Sequence, residues 1–146
     1  MSGKSTYLRN GWLKLLFQAT AIANVADNAA SSPLTTLYLS LHTSDPGLAP
    51  ATEQSQGETA YTGYARIGLT RSAVGWTVTG NEVTPAANVD FGECTASPGS
   101  AITYVGVGTL ASGNGKLLMS GALSPSITMA TGVIPRLTTA SKITET

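Results

Sequence analysis

One cysteine, Cys94, and one histidine, His42, stand in a chain of 146 residues, and these scarcities remove whole classes of chemistry. A lone thiol closes no internal disulfide, so the fold is not a disulfide scaffold. Zinc needs three or four converging His, Cys or carboxylate ligands. One His, one Cys and eight scattered acids do not supply them. Glu53, Glu58, Glu82, Asp90 and Glu93 also lack the Asp-x-Asp spacing of a calcium loop. No metal and no cofactor is expected. Charge is scarce too: 11% of residues are charged, against roughly 25% in soluble domains. The basic residues are spread from Lys4 to Lys142 without a cluster, which argues against nucleic acid as a partner. The run Trp12–Phe17 is broken by Lys14 and falls far short of the roughly 20 apolar residues of a membrane span. Met-Ser-Gly-Lys-Ser-Thr at the start lacks the apolar stretch of a signal peptide. A soluble, cytoplasmic product with no membrane partner is therefore expected, its weakly charged exterior resting against other protein.

The length suits a single domain over residues 1–146. Within it, residues 1–33 read as an N-terminal arm and helix, and 34–146 as a β-sandwich carrying a long loop over 43–60. From Thr6 to about Val25, Trp12, Leu15, Leu16, Ala19, Ile22 and Ala23 recur at intervals of three and four, the stripe of an amphipathic helix. Asp27-Asn28 and Ser31-Ser32-Pro33 supply turn chemistry after it. The stripe Trp12/Leu15/Leu16/Ala19/Ile22 is the candidate interface for self-association.

After Pro33 the period becomes two. Leu37, Leu39 and Leu41 alternate with Tyr38, Ser40 and His42, which predicts a strand with one apolar face. Further strands are predicted at Tyr61–Thr70, Trp76–Thr79, Glu82–Thr84, Val89–Phe91, Ile102–Leu110, Lys116–Leu123, Ser126–Ala130 and Ile134–Thr138. Gly80-Asn81 and Ser112-Gly113-Asn114-Gly115 mark hairpin turns. About eight short strands separated by turns predict a mainly β fold, an antiparallel β-sandwich or a jelly-roll-like barrel, with one N-terminal α-helix.

The chemical inventory is thin. His42 and Asp45 lie in one short stretch with serines nearby, but the Gly-x-Ser-x-Gly elbow is absent. His42 therefore reads as a strand-end residue bonded to a neighbouring backbone or carboxylate group. Gly106-Val107-Gly108-Thr109-Leu110-Ala111 matches a dinucleotide fingerprint in letters only, since it lies in a strand rather than before a helix. Gly113-Asn114-Gly115-Lys116 lacks the rest of a phosphate loop. Both read as hairpin glycines. Trp12 and Trp76 read as core rather than as sugar-stacking platforms. No catalytic residue is assigned, and no enzyme is expected.

Leu41-His42-Thr43-Ser44-Asp45-Pro46-Gly47, then Glu58 to Arg66 containing Tyr61, Tyr64-Ala65-Arg66, then Gly75-Trp76-Thr77-Val78, together resemble a family of small tailed-bacteriophage virion structural proteins, labelled tail-fibre-like. The likeness runs from Leu37 through Gly132-Val133-Ile134-Pro135-Arg136. It implies a non-enzymatic, β-rich component of the virion, assembled in the host cytoplasm. The compact, neutral chain lacks repeats or a stalk, which favours a capsid decoration or cement protein bridging subunits of the major capsid protein; a tail or tail-fibre part in host attachment is the alternative. Other virion proteins are the expected partners, with a homotrimer by analogy to threefold positions on icosahedral shells. Asp45-Pro46-Gly47 predicts a turn. If Tyr61–Leu69 is a strand beside Leu37–His42, Arg66, on the same face as Tyr64, clamps Asp45 or Glu58 and fastens the loop. The candidate loop clamp is thus His42, Asp45, Pro46, Gly47, Glu58, Tyr64 and Arg66.

Overall fold

A computed structural model describes residues 5–22, 33–48 and 53–145. Among them the chain is mainly β. One helix, α1 (Thr6–Gln18), precedes nine strands: β1 (Thr36–His42), β2 (Ile67–Thr70), β3 (Trp76–Thr79), β4 (Glu82–Pro85), β5 (Val89–Asp90), β6 (Ile102–Gly108), β7 (Leu117–Ile127), β8 (Arg136–Leu137) and β9 (Ile143–Thr144). The sheets run in the orders β2-β1-β6-β7, β3-β4-β9 and β5-β8. None closes on itself, so the barrel alternative falls, and the antiparallel arrangement is compatible with a β-sandwich. The chain divides into two compact units, one of Met1–Thr36, Leu69–Val89 and Leu137–Thr146, the other of Leu37–Gly68 and Asp90–Arg136.

In the first unit α1 rests on the β3–β4 hairpin. Leu13 and Phe17, four residues apart on one helix face, are both fully buried. The Phe17 ring meets buried Trp76 edge-on, with centroids 4.6 Å apart and planes at 64°, a favoured aromatic geometry. Asn10 Nδ2 donates to the Gly80 carbonyl at 2.8 Å and Gln18 Nε2 to the Trp76 carbonyl at 3.0 Å, pinning the helix near its middle and at its C-terminal end. The indole N–H of Trp76 meets no acceptor among the described residues, so its burial opposes folding by about 1–3 kcal/mol.

The helix ends earlier than its apolar repeat predicts. Ala19 adopts a left-handed φ of 54°. The Arg71 guanidinium donates to the Leu15 and Leu16 carbonyls at 2.6 and 2.5 Å, and to Leu34 O at 3.1 Å. A cation on the last-turn carbonyls satisfies orphan acceptors and complements the helix dipole. Residues 23–25 of the expected helix, the turn residues Asp27, Asn28, Ser31 and Ser32, Met1–Lys4 of the arm and residues 49–52 of the loop lie outside the described residues. The helix is also rotated relative to the predicted stripe. Trp12, expected in the core, is 46% exposed, and Leu15, Leu16 and Ala19 are only half-buried while Ile22 is buried. The Phe17–Trp76 contact draws Leu13 and Phe17 inward and leaves Trp12 outside.

The β3–β4 hairpin turns at Gly80, whose φ of 62° suits glycine, and pairs Val78 with Val83. β9 adds to β4 through Ile143 and Thr144, two residues too short to announce a strand by periodicity.

In the second unit β1 pairs antiparallel with β6, Tyr38 opposite Gly108, Ser40 opposite Gly106 and His42 opposite Tyr104. Leu37, Leu39 and Leu41 are buried on one face. Two predicted strands change. Tyr61–Arg66 is not strand, because Gly63 takes a φ of 103° and the Tyr64 N–H closes a turn on Tyr61 O at 3.0 Å. The separate strand predicted at Ser126–Ala130 is instead the end of β7, which runs to Ile127.

Phe17→Ala is expected to cost about 3–5 kcal/mol in a urea or guanidinium titration, and Trp12→Ala about 0.5 kcal/mol or less. The reverse order would mean that the other helix face is the packed one.

Candidate functional site

The second face of β1 decides what kind of site this is. Tyr38, Ser40 and His42 alternate away from the leucines, and a sheet face of this composition ordinarily meets water. Here Ser40 and His42 are fully buried, because residues 53–58 fold back across them. Glu53 bridges to Lys116, and Glu58 to His42. Main-chain bonds hold this strap: Thr43 N–H to Gly57 O at 2.8 Å, Thr59 N–H to Leu41 O at 2.9 Å and Gln54 N–H to Gly115 O at 2.6 Å.

Glu58 and Arg66 form the centre. Arg66 Nε donates to Glu58 Oε1 at 2.7 Å and Nη2 to Oε2 at 2.6 Å, a two-pronged pairing open to arginine and not to lysine. The Arg66 side chain is 2% exposed and that of Glu58 16%. Nη1 donates to Gln54 Oε1 at 3.3 Å and Leu110 O at 3.0 Å, and Nη2 also to Gly113 O at 2.8 Å. A guanidinium has five N–H donors, and every one is used. The hydrogen bond and charge of Glu58 together hold the Arg66 proton more tightly than usual. Tyr64 extends the network: its hydroxyl donates to Glu58 Oε1 at 2.7 Å and accepts the Leu41 N–H at 3.1 Å. Burial, followed by the bond to Glu58, pushes the Tyr64 phenol far above its ordinary range. Burial likewise raises Tyr61, to about 12.

Gln54, itself fully buried, joins this centre to β1. Its Nε2 donates to Tyr38 O at 2.8 Å and Ser40 Oγ at 3.3 Å. Ser40 Oγ lies 2.9 Å from His42 Nε2, and His42 Nδ1 lies 2.8 Å from Gln56 O. A carbonyl only accepts, so Nδ1 carries the ring proton and Nε2 accepts from the serine hydroxyl. Space for these side chains comes from glycine. A Cβ on Gly106 would stand 2.7 Å from His42 Nε2 and 2.9 Å from Ser40 Oγ, and one on Gly108 would overlap the Gln54 amide. The glycine pattern in β6 thus has a steric cause.

A serine and a histidine at this distance resemble part of a nucleophilic dyad. Both are sealed from solvent, and the group orienting the ring is a backbone carbonyl instead of a carboxylate. As folded, the pair reaches no substrate. Its chemistry is that of a fully satisfied buried polar network, which specifies one arrangement of the chain.

Residues 3–144 match the family described as podophage GP4 fiber I protein gp80. The chain belongs to that family. Among curated proteins none matches it. Membership makes this a phage fiber-family protein and a component of the virion, the level at which the resemblance to tailed-phage structural proteins stands.

In this gp80-family chain the structure brings together His42, Glu58, Tyr64 and Arg66. Asp45, Pro46 and Gly47 lie apart from the ion pair: Asp45 Oδ1 accepts the Gly47 N–H at 2.9 Å and Ser120 Oγ at 3.5 Å, with Pro46–Leu48 forming a single 3-10 turn. Arg66 thus pairs with Glu58, not Asp45. Tyr64 and Arg66 converge through a turn, not through the strand alternation expected of them. Sequence reasoning missed Gln54, Ser40, Gly106 and Gly108 as participants. The one available signal was two glycines two apart in a strand, opposite two polar residues of β1.

Arg66→Ala strands a nearly buried carboxylate and is expected to cost about 3–5 kcal/mol in a denaturant titration. Arg66→Lys keeps the charge but has three donors for five acceptors, so proteolysis within residues 53–60 should accelerate well before global stability is lost. Unchanged cleavage there would show that the strap does not depend on the fork.

Proposed function

We propose that this protein is a non-enzymatic structural part of the phage particle, acting by docking against other virion proteins. The family match over residues 3–144 carries the reading. It is supported by the sealing of the sole histidine in the core and by the 11% charged fraction, which suits an exterior covered by protein.

Two positions on the particle have support from different observations. The family is described by a fiber protein, which favours a place in or beside a fibre serving host attachment. The low, balanced charge and absence of sequence repeats favour decoration of the head, where the protein would bridge copies of the major capsid protein, with trimers at threefold positions. A cement that binds only the assembled lattice stabilises it by mass action, by about 2.7 kcal/mol per site at a hundredfold excess over Kd.

Antibody-gold labelling of purified particles tests the reading. Label bound to intact particles is the expected outcome; a protein confined to the infected-cell lysate overturns it. Label on the head, with genome loss at lower temperature when the protein is missing, selects decoration. Label on the tail, with attachment lost and head stability kept, selects the fibre role.

A further inference from the structure

The strap over β1 is held at two points by one titratable ring. Gln54 Nε2 donates to Ser40 Oγ, the Ser40 hydroxyl donates to His42 Nε2, and His42 Nδ1–H donates to Gln56 O. Both ends of this relay lie on the strap, and its middle lies on β1. The direction of the Ser40–His42 bond depends on His42 Nε2 being an acceptor, while the Gln54 amide and the Nδ1–H donate in either protonation state.

We propose that His42 is a proton-operated latch, and that its protonation releases residues 53–58 from the polar face of β1. A proton on Nε2 turns the acceptor into a donor. Ser40 Oγ then faces two donors, Gln54 Nε2 and His42 Nε2, and its own hydrogen has no acceptor among the described residues. The two side chains fill the space that Gly106 leaves, where a Cβ would stand 2.7 Å from His42 Nε2 and 2.9 Å from Ser40 Oγ, so a close-packed site has little room to rearrange while the strap is closed. Opening the strap hydrates both groups at once.

The surrounding charges set the direction. Glu58, opposite His42 on the strap, and Asp45 favour the imidazolium, while Arg66 opposes it. Glu58 is already neutralised by the Arg66 fork. Tyr104 pairs with His42 from β6, and burial keeps the Tyr64 phenol protonated. Glu53 and Lys116 face each other at the start of the strap, and β7 presents no charged residue between Leu117 and Ile127. Burial is the largest influence and holds His42 below its ordinary 6.5. The opened state therefore takes up its proton near that ordinary value and the closed state only at lower pH. Closure is complete above it and weakens as pH falls toward the folded value. The surface uncovered is the strip of Tyr38, Ser40 and His42 beside Gly106 and Gly108, a polar, glycine-lined face of two central strands.

Amide hydrogen exchange on the intact protein, corrected for intrinsic rates, reads the latch. Between about pH 7 and pH 5.5, protection of the Thr43, Gln54 and Thr59 amides should fall, by at most about tenfold, while that of the β3–β4 hairpin holds. His42→Asn keeps a donor for Gln56 O and does not titrate, so its strap protection should be independent of pH. Equal loss in strap and hairpin, or the same strap loss in His42→Asn, overturns the proposal. Should that variant not fold, the single imidazole of the native chain is followed by proton NMR. Titration below the ordinary value, in step with strap exchange, supports the latch; titration at or above it, with the strap still protected, overturns it.

Discussion

A guanidinium and a carboxylate cannot be taken from water cheaply, and the Arg66–Glu58 pair is almost wholly buried. Its attraction alone need not offset the desolvation. What makes the pair tolerable is that the remaining donors are also placed, on Gln54, Leu110 and Gly113. These acceptors come from the strap and from the turn between β6 and β7. One side chain thereby dictates where two otherwise independent segments end. Without it, Ser40 and His42 would lie on a solvent-facing strand surface, and Gln54 would have no reason to enter the space left by the glycines opposite them.

This arrangement commits the polar side chains of the cluster to one another. Histidine, serine, glutamine, glutamate and arginine are all present within one cluster, yet each is consumed by a neighbour. The result is a loop whose backbone is committed inward while the β6–β7 turn stays exposed at Leu110 to Asn114. A surface of defined shape presented by a sheet costs less ordering entropy on docking than a free loop does.

The first unit rests on a different device. Arg71 also points a guanidinium at main-chain carbonyls, but at a helix end, and Asn10 and Gln18 fasten the helix to β3–β4. Both units therefore use arginine to gather carbonyls from separate segments, and use aromatic or leucine packing to fill the space beneath.

The sequence by itself determined the β class, β1, both hairpins and their turns, and the burial of Trp76. These follow from period-two alternation and from glycine and asparagine at turn positions, which act within a few residues. It also brought Arg66 forward with Asp45 or Glu58 as its partner, the second of these eight residues away. Only the tertiary structure decided which helix face packs, since Trp12 and Phe17 are equally apolar in a linear reading and the position of Trp76 chooses between them. Only the tertiary structure decided that Gln54 is buried and that Gly106 and Gly108 make room. Those outcomes depend on acceptors 44 and 47 residues from Arg66, and no local pattern of residue types encodes contacts across such separations.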